Sequence, residues 1–83
     1  MKTIWKFPLS ITDSQIINIQ PNAEIIHSGR DPEGNFCFWA VVNPDEPPKP
    51  FTFYIVGTGH PIPPDTSHIC SFRQDFFIWH LFV

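Results

Sequence analysis

The chain has 83 residues, a formal net charge of −3 and only five Lys and Arg side chains. This length predicts a single domain over residues 1–83, which buries roughly 60% of the surface that its unfolded form exposes. The cations are scattered, which argues against a surface for duplex nucleic acid. The apolar stretches are far shorter than the roughly 20 residues of a membrane helix, and the start has no signal-peptide core. We therefore expect a cytoplasmic protein with no membrane partner.

Strand-forming residues dominate the chain, and turn residues interrupt them about every 8–12 positions. This pattern predicts an all-β domain with little or no helix: a small antiparallel meander, a sandwich or a partly open barrel of six or seven strands. Residues 2–9 alternate in polarity, with Thr3, Trp5 and Phe7 on one face, so they form the first strand. Pro8 ends this strand or places it at a sheet edge.

The next segment has two conflicting signals. Residues 12–15 (TDSQ) match a helix capping box, but Ile16, Ile17 and Ile19 are β-branched and Pro21 closes the segment after barely two turns. We therefore predict a strand here. A hairpin comes next, because residues 31–35 (DPEGN) supply proline and glycine for a turn between strands at 24–30 and 36–42.

The second half of the chain begins with a proline-rich connection. Residues 43–50 (NPDEPPKP) hold four prolines in eight residues, which predicts an exposed and stiff link. A strand at 51–56 comes next, and residues 68–72 and 76–83 predict a last hairpin.

Two of these strands are apolar on both alternating faces. They are residues 36–42 (FCFWAVV) and residues 76–83 (FFIWHLFV). An antiparallel sheet with one wet face should alternate apolar and polar residues instead. We expect the second face to meet another subunit or to line a ligand cavity. The sequence favours a homo-oligomer that forms through these two strands, since large exposed apolar patches are rare on monomers.

The sharpest local motif is Gly57-Thr58-Gly59-His60, which precedes Pro61, Pro63 and Pro64. A dinucleotide fingerprint or a phosphate loop needs a helix after the glycines, and these prolines forbid one. What remains is a turn at the end of a strand. Its backbone N–H groups, with the Thr58 hydroxyl and the His60 ring, either bind an anion or form only a glycine turn beside a solvated histidine.

Signals for catalysis or a metal are weaker. His60 is the one candidate general base, but no Ser, Cys or carboxylate lies at a spacing that indicates a nucleophile or an orienting partner. His68 and Cys70 are two positions apart, which predicts that their side chains share a strand face. With His60 or His80 as a further ligand, they could form a metal site. We predict no catalytic residue, no metal and no cofactor. We also expect Cys37 and Cys70 to be reduced.

The opening MKTIWKFPL and the later GTGHPIP carry a family resemblance. Together with the tryptophan strand near position 39, they resemble a family of small bacteriophage and prophage proteins of unknown function. The resemblance implies phage origin and expression in the cytoplasm of the bacterial host. It implies action by binding, and it transfers no catalytic residue.

From the residues and the resemblance together, we expect a homo-oligomeric sponge that sequesters a nucleotide second messenger of bacterial anti-phage immunity. A cyclic or short oligonucleotide would lie where subunits meet, with phosphates on the glycine turn and bases on tryptophans. The alternatives are a protein-binding inhibitor of a host factor and a small His-dependent hydrolase. The predicted ligand-binding residues are Trp5, Arg30, Trp39, Gly57, Thr58, Gly59, His60 and Arg73.

Overall fold

The computed structural model describes residues 1–83, which form seven β-strands and no helix. The strands are β1 (Thr3–Pro8), β2 (Ser14–Ile19), β3 (Glu24–Arg30), β4 (Phe36–Val42), β5 (Lys49–Gly57), β6 (His68–Gln74) and β7 (Phe77–Phe82). The predicted all-β class and the count of six or seven strands are confirmed. The chain contains no helix with the length and hydrophobicity that crossing a membrane requires.

The strands are arranged in two antiparallel sheets that pack as a sandwich. The first sheet has the order β1-β4-β3, and the second has the order β2-β5-β7-β6. Their inner faces meet in an aromatic core around Phe38, which is fully buried. Its ring lies 5.1 Å from that of Phe7 in its own sheet and 5.5 Å from that of Phe53 in the other. Of the architectures that the sequence allowed, the sandwich is the one that forms.

The β3–β4 hairpin has the turn that the sequence predicted. Gly34 adopts a φ of +86°, which favours glycine, and its N–H donates to Asp31 O at 2.9 Å. The Asp31 carboxylate accepts hydrogen bonds from the N–H groups of Glu33 and Asn35, and from Lys6 Nζ at 2.9 Å. The last of these bonds ties the hairpin turn to edge strand β1.

Strand β5 begins two residues earlier than the sequence predicted, because Lys49 and Pro50 pair with β2. At this end β5 has a neighbour on one side only, since its pairing with β7 begins at Tyr54. A proline costs no ladder hydrogen bond at such a place. The stiff connection is therefore shorter than residues 43–50.

The connection from β5 to β6 crosses a sheet face. Both strands pair antiparallel with β7, which lies between them, so β5 and β6 run parallel and residues 58–67 must pass over β7. The side chains of Val56 and Phe82 point away from the core but are only 7% and 8% exposed. Ile62 of the connection faces the same groove as these two side chains. The chain itself thus covers part of a face that the sequence assigned to a second subunit or a ligand.

Candidate functional site

The Gly57–His60 motif is a tight turn at the end of β5. The N–H of His60 donates to Gly57 O at 3.0 Å, and Gly59 has a φ of +90°. Thr58 has no positive φ, so the turn follows the type II pattern, in which the third residue favours glycine. The N–H groups of Thr58 and Gly59 make no hydrogen bond within the chain. They are two free donors at the tip of the turn.

Gly57 is needed for a different reason, which is space. A Cβ atom at this position would lie 3.2 Å from His60 Nδ1 and 3.2 Å from Trp79 Cζ3. The absence of a side chain lets the His60 ring fold back over the end of β5. The strand end, the turn and the imidazole therefore form one packed unit.

A chain of polar side chains continues from the turn across the outer face of the second sheet. Thr58 Oγ1 lies 2.9 Å from His80 Nε2, Ser71 Oγ lies 2.7 Å from His80 Nδ1, and His68 Nε2 lies 2.9 Å from Ser71 Oγ. We call these four residues the polar chain. It joins three elements: the turn after β5, strand β7 and strand β6.

One end of the polar chain sets the direction of its hydrogen bonds. The Thr58 hydroxyl donates to Ile78 O at 3.4 Å, and a carbonyl can only accept. Thr58 Oγ1 then accepts from the Nε2–H of His80, which leaves Nδ1 as an acceptor for the Ser71 hydroxyl. Ser71 Oγ in turn accepts from the Nε2–H of His68. This pattern corresponds to the Nε2–H tautomer of His80, with the Ser71 hydroxyl directed at Nδ1.

The turn and the crossing connection enclose a groove of about 260 Å³ on this sheet face. We call it the crossover groove. Its lining includes no carboxylate, and its principal side chains are Val56, Thr58, His60, Ile62, His80 and Phe82. The groove therefore combines an apolar floor with hydroxyl, imidazole and free N–H groups, which suits a neutral or anionic ligand.

The structure divides the predicted site residues between the two sheets. Gly57, Thr58, Gly59 and His60 all line the crossover groove. The two tryptophans lie in the three-stranded sheet on opposite faces, because Trp5 pairs with core-facing Ala40 whereas Trp39 pairs with Lys6. The residues of the glycine turn are together in one chain, and the tryptophans are not among them.

The two predicted arginines are engaged with their own hairpins. The Arg30 guanidinium lies 4.4 Å from the ring centroid of Phe36 and donates to Gly34 O at 3.2 Å. Arg73 Nε donates to Asp75 O at 2.7 Å. Neither side chain lines the crossover groove.

Strand β6 corrects the prediction that His68 and Cys70 share a face. The pairing shifts between them, so that His68 lies opposite Phe82 and Cys70 lies opposite Leu81. Leu81 is fully buried in the core, and its neighbour Phe82 faces outwards. The same-face prediction is wrong because a β-bulge adds a residue and reverses the alternation. Cys70 points inwards, where burial raises the pKa of its thiol.

Sequence reasoning did not find Ser71 or the role of His80. The sequence offered His80 as a further ligand of a possible metal site, whereas its ring bridges Ser71 and Thr58. These three residues belong to different elements, and only the strand pairing brings them together. The single local signal is His80, the one polar residue of the otherwise apolar strand β7.

Comparison of the chain with curated proteins and with solved structures finds no match in either set. A family model does match, and it covers residues 1–83. The chain belongs to the family described as Domain of unknown function (DUF7352).

Proposed function

We propose that this protein is a small phage-type accessory protein that acts by non-catalytic binding, with the crossover groove as its binding site. Its ligand is a nucleotide second messenger of anti-phage immunity, which it sequesters inside the bacterial host. The observation that carries the proposal is that the two free backbone N–H groups of Thr58 and Gly59 and the ring of His60 belong to one groove whose lining has no carboxylate. The resemblance in MKTIWKFPL and GTGHPIP supports the phage setting.

The chemistry of the groove suits a phosphate next to an apolar group. Backbone N–H groups and the ring of His60 can donate hydrogen bonds to phosphate oxygens, and Val56 and Phe82 offer an apolar floor for the attached sugar or base. The volume of about 260 Å³ is below the roughly 300–1,000 Å³ of sites that enclose a whole ligand. The groove therefore holds one part of an oligonucleotide, and the rest extends beyond it.

Self-association would supply the remaining contacts. Strand residues 36–42 present Trp39 and Val41 half-buried on the outer face, beside the exposed Ile4. In residues 76–83, Phe76, Phe77 and Ile78 are exposed at the hairpin tip. We propose that these surfaces meet in a homo-oligomer, which brings Trp5 or Trp39 of one subunit towards a base that extends from another subunit's groove.

The test is a thermal-shift screen against cyclic dinucleotides and trinucleotides, followed by heat release and chromatography of the nucleotide. We expect one nucleotide to raise the melting temperature and to be recovered unchanged. His60→Ala should weaken its binding by about tenfold, as expected for the loss of a hydrogen bond to a charged group. Thr52→Val is the control, because Thr52 is exposed on β5 opposite Ile16 and lies outside the crossover groove and the proposed interface.

The outcomes separate the classes of function. Stabilisation that His60→Ala weakens and Thr52→Val leaves unchanged supports sequestration. The absence of stabilisation by every nucleotide contradicts it, and specific capture of one host protein would then identify an inhibitor. A chemically altered nucleotide would identify an enzyme.

Ser71 favours a small hydrolase as a second candidate function. Its hydroxyl points at His80 Nδ1 at 2.7 Å, and Thr58 holds the opposite nitrogen, an arrangement of nucleophile, base and orienting group. In this proposal Ser71 Oγ bonds to the carbonyl carbon of an ester while His80 takes its proton. The bond to the leaving oxygen then breaks, and that oxygen receives the proton. Water next attacks the acyl carbon and gives a proton to His80, the bond to Ser71 Oγ breaks, and Oγ regains a proton from His80 as the acid leaves.

An activated ester tests this second candidate. With p-nitrophenyl acetate we expect an acetyl mass increase on Ser71 and release of p-nitrophenol, both abolished in Ser71→Ala. Ser67→Ala is the control, since Ser67 is also exposed and no side-chain partner holds its hydroxyl. Equal release by wild type and Ser71→Ala contradicts the proposal.

A further inference from the structure

The first strand leaves one edge of the three-stranded sheet without a neighbour. β1 pairs with β4 on one side only, because the order of this sheet is β1-β4-β3. From Thr3 to Pro8 it pairs residue by residue, without a bulge. A regular strand at a sheet edge presents a row of N–H and C=O groups that can pair with another chain.

The hydrogen bonds of the sheet show which of these groups are free. Just beyond β1, the N–H of Leu9 donates to Phe36 O at 3.0 Å, so these two residues form a hydrogen-bonded pair. Such pairs alternate along an antiparallel ladder, so every second residue of β1, starting at Thr3, directs its backbone groups at β4. The N–H and C=O groups of Ile4 and Lys6 therefore face away from the sheet.

This edge also exposes large apolar side chains on both faces of the sheet. Ile4 lies on the outer face and is 55% exposed, and Trp5 lies on the inner face and is still 43% exposed. The edge strand β2 of the second sheet exposes a large apolar side chain on its outer face only, that of Ile16. A strand added beside β1 would cover apolar surface on both faces, which favours β1 over β2 as the place of pairing.

Charge selects one register for the pairing of β1 with a second copy of itself. Outward groups must lie opposite each other, so a symmetric antiparallel pair that keeps most of the strand is centred on Ile4, Trp5 or Lys6. Centring on Ile4 places Lys2 directly opposite Lys6, and centring on Lys6 places this lysine opposite its own copy. Like charges in such positions are destabilising. Centring on Trp5 avoids both contacts, because Ile4 then lies opposite Lys6.

We propose that β1 pairs antiparallel with β1 of a second copy of this chain, centred on Trp5, so that the two three-stranded sheets become one continuous sheet. Ile4 of each chain exchanges backbone hydrogen bonds with Lys6 of the other, and Asp31 at 2.9 Å already balances the Lys6 charge. The two Trp5 residues form a non-hydrogen-bonded pair, in which side chains approach most closely. Pro8 lies at the end of the pairing, where its missing N–H costs little.

This edge contact is separate from the outer surfaces proposed above for self-association. It covers Trp5 with its own copy, which leaves Trp39 as the tryptophan that can meet a base. The pairing needs no nucleotide, so its failure would leave binding in the crossover groove standing, and the reverse also holds.

Cysteine cross-linking tests the pairing and its register on the full chain. Trp5→Cys places two thiols opposite each other, where the Cα atoms of a non-hydrogen-bonded pair, about 4.5 Å apart, allow a disulfide. Ile4→Cys is the matched control, because the proposed register separates its two copies by more than the roughly 7 Å that a disulfide can span. We expect a dimer in non-reducing electrophoresis for Trp5→Cys and none for Ile4→Cys. A dimer of Ile4→Cys, alone or to the same extent, overturns the proposal.

Hydrogen exchange of the wild type keeps the proposal falsifiable if the cysteine itself weakens the pairing. The N–H groups of Ile4 and Lys6 are free in one chain and bonded in the pair, so their exchange should slow as the protein concentration rises. With about nine-tenths of the chains paired, exchange from the unpaired remainder is about tenfold slower. The control is the N–H of Ile16, which faces outwards from β2 because Ile55 N–H donates to Asp13 O. Exchange at Ile4 and Lys6 that is independent of concentration overturns the proposal.

Discussion

Gly57 shows how much a single residue decides at this site. Two rings, those of His60 and Trp79, pack where its side chain would be, each 3.2 Å from the ideal Cβ position. Its φ is not among the positive values of this chain, so the requirement for glycine here is steric and not conformational. The close approach is what fixes His60 against the strand end.

We expect Gly57→Ala to destabilise the fold by about 1–3 kcal/mol, the usual cost of an extra methyl group in a packed place. The cause can be checked with the double variant Gly57→Ala/His60→Ala, which removes one of the two clashes. Chemical denaturation of the wild type, the two single variants and the double variant gives the coupling free energy between positions 57 and 60. Additive effects would contradict a direct contact between position 57 and the His60 ring.

Asp31 is the residue at which stability depends on pH. The hydrogen bond from Lys6, with those from the N–H groups of Asn35 and Glu33, holds the pKa of the Asp31 carboxyl below its ordinary value. A lowered pKa in the folded state means that the charged form stabilises the fold above the unfolded pKa of about 3.9. This contribution is lost as the pH falls through the folded pKa.

Asp31→Asn should therefore be less stable than the wild type at pH 7, and the difference should shrink below about pH 4. Thermal unfolding of both proteins between pH 2 and pH 7 measures it. Asp45→Asn is the control, because the Asp45 side chain is 87% exposed and has only a 4.0 Å contact with the N-terminus. A gap that stays constant down to pH 2 would show that the Asp31 charge is not responsible.

Among the elements, the connection that crosses β7 covers an apolar part of the outer face of the second sheet, over which no strand lies. Val56 and Phe82 face outwards from the second sheet, and residues 58–67 bury them. A connection between parallel strands is usually helical, but the three prolines at positions 61, 63 and 64 make this one extended. The same segment forms one wall of the crossover groove.

Phe82→Ala should cost about 3 kcal/mol in the free energy of unfolding, since it empties a buried site beneath the connection. Phe76→Ala makes the same chemical change at a side chain that is 98% exposed, and it should stay within about 0.5 kcal/mol of the wild type. Urea titrations of the three proteins make the comparison. Similar losses for both variants would mean that the connection does not cover Phe82 in solution.

At the scale of the whole molecule, the sandwich leaves apolar side chains on outer surfaces. Ile4 is 55% exposed next to Val41 on the three-stranded sheet, and Ile16 is 71% exposed on the other. Of the two, only Ile4 lies next to residues 36–42, the strand through which we propose self-association. The two isoleucines therefore form a matched pair for testing it.

Light scattering at micromolar concentration should give a mass that is a multiple of the 9.6 kDa chain. Ile4→Lys should reduce that mass towards a single chain, because it places a charge beside Val41 at the proposed interface. Ile16→Lys should leave it unchanged. A wild-type mass of 9.6 kDa at every concentration would remove the oligomer from the proposed function, and the crossover groove of one chain would have to bind alone.

The sequence by itself determined the all-β class, the strand count, the β3–β4 hairpin and the glycine turn, because alternation and turn chemistry are local properties of the chain. Tertiary structure alone decided which residues meet. The bulge in β6 turned Cys70 away from His68, the strand order made residues 58–67 a cover for Phe82, and pairing brought Ser71, His80 and Thr58 into one polar chain. Strand order and register depend on contacts between distant segments, and no local pattern encodes them.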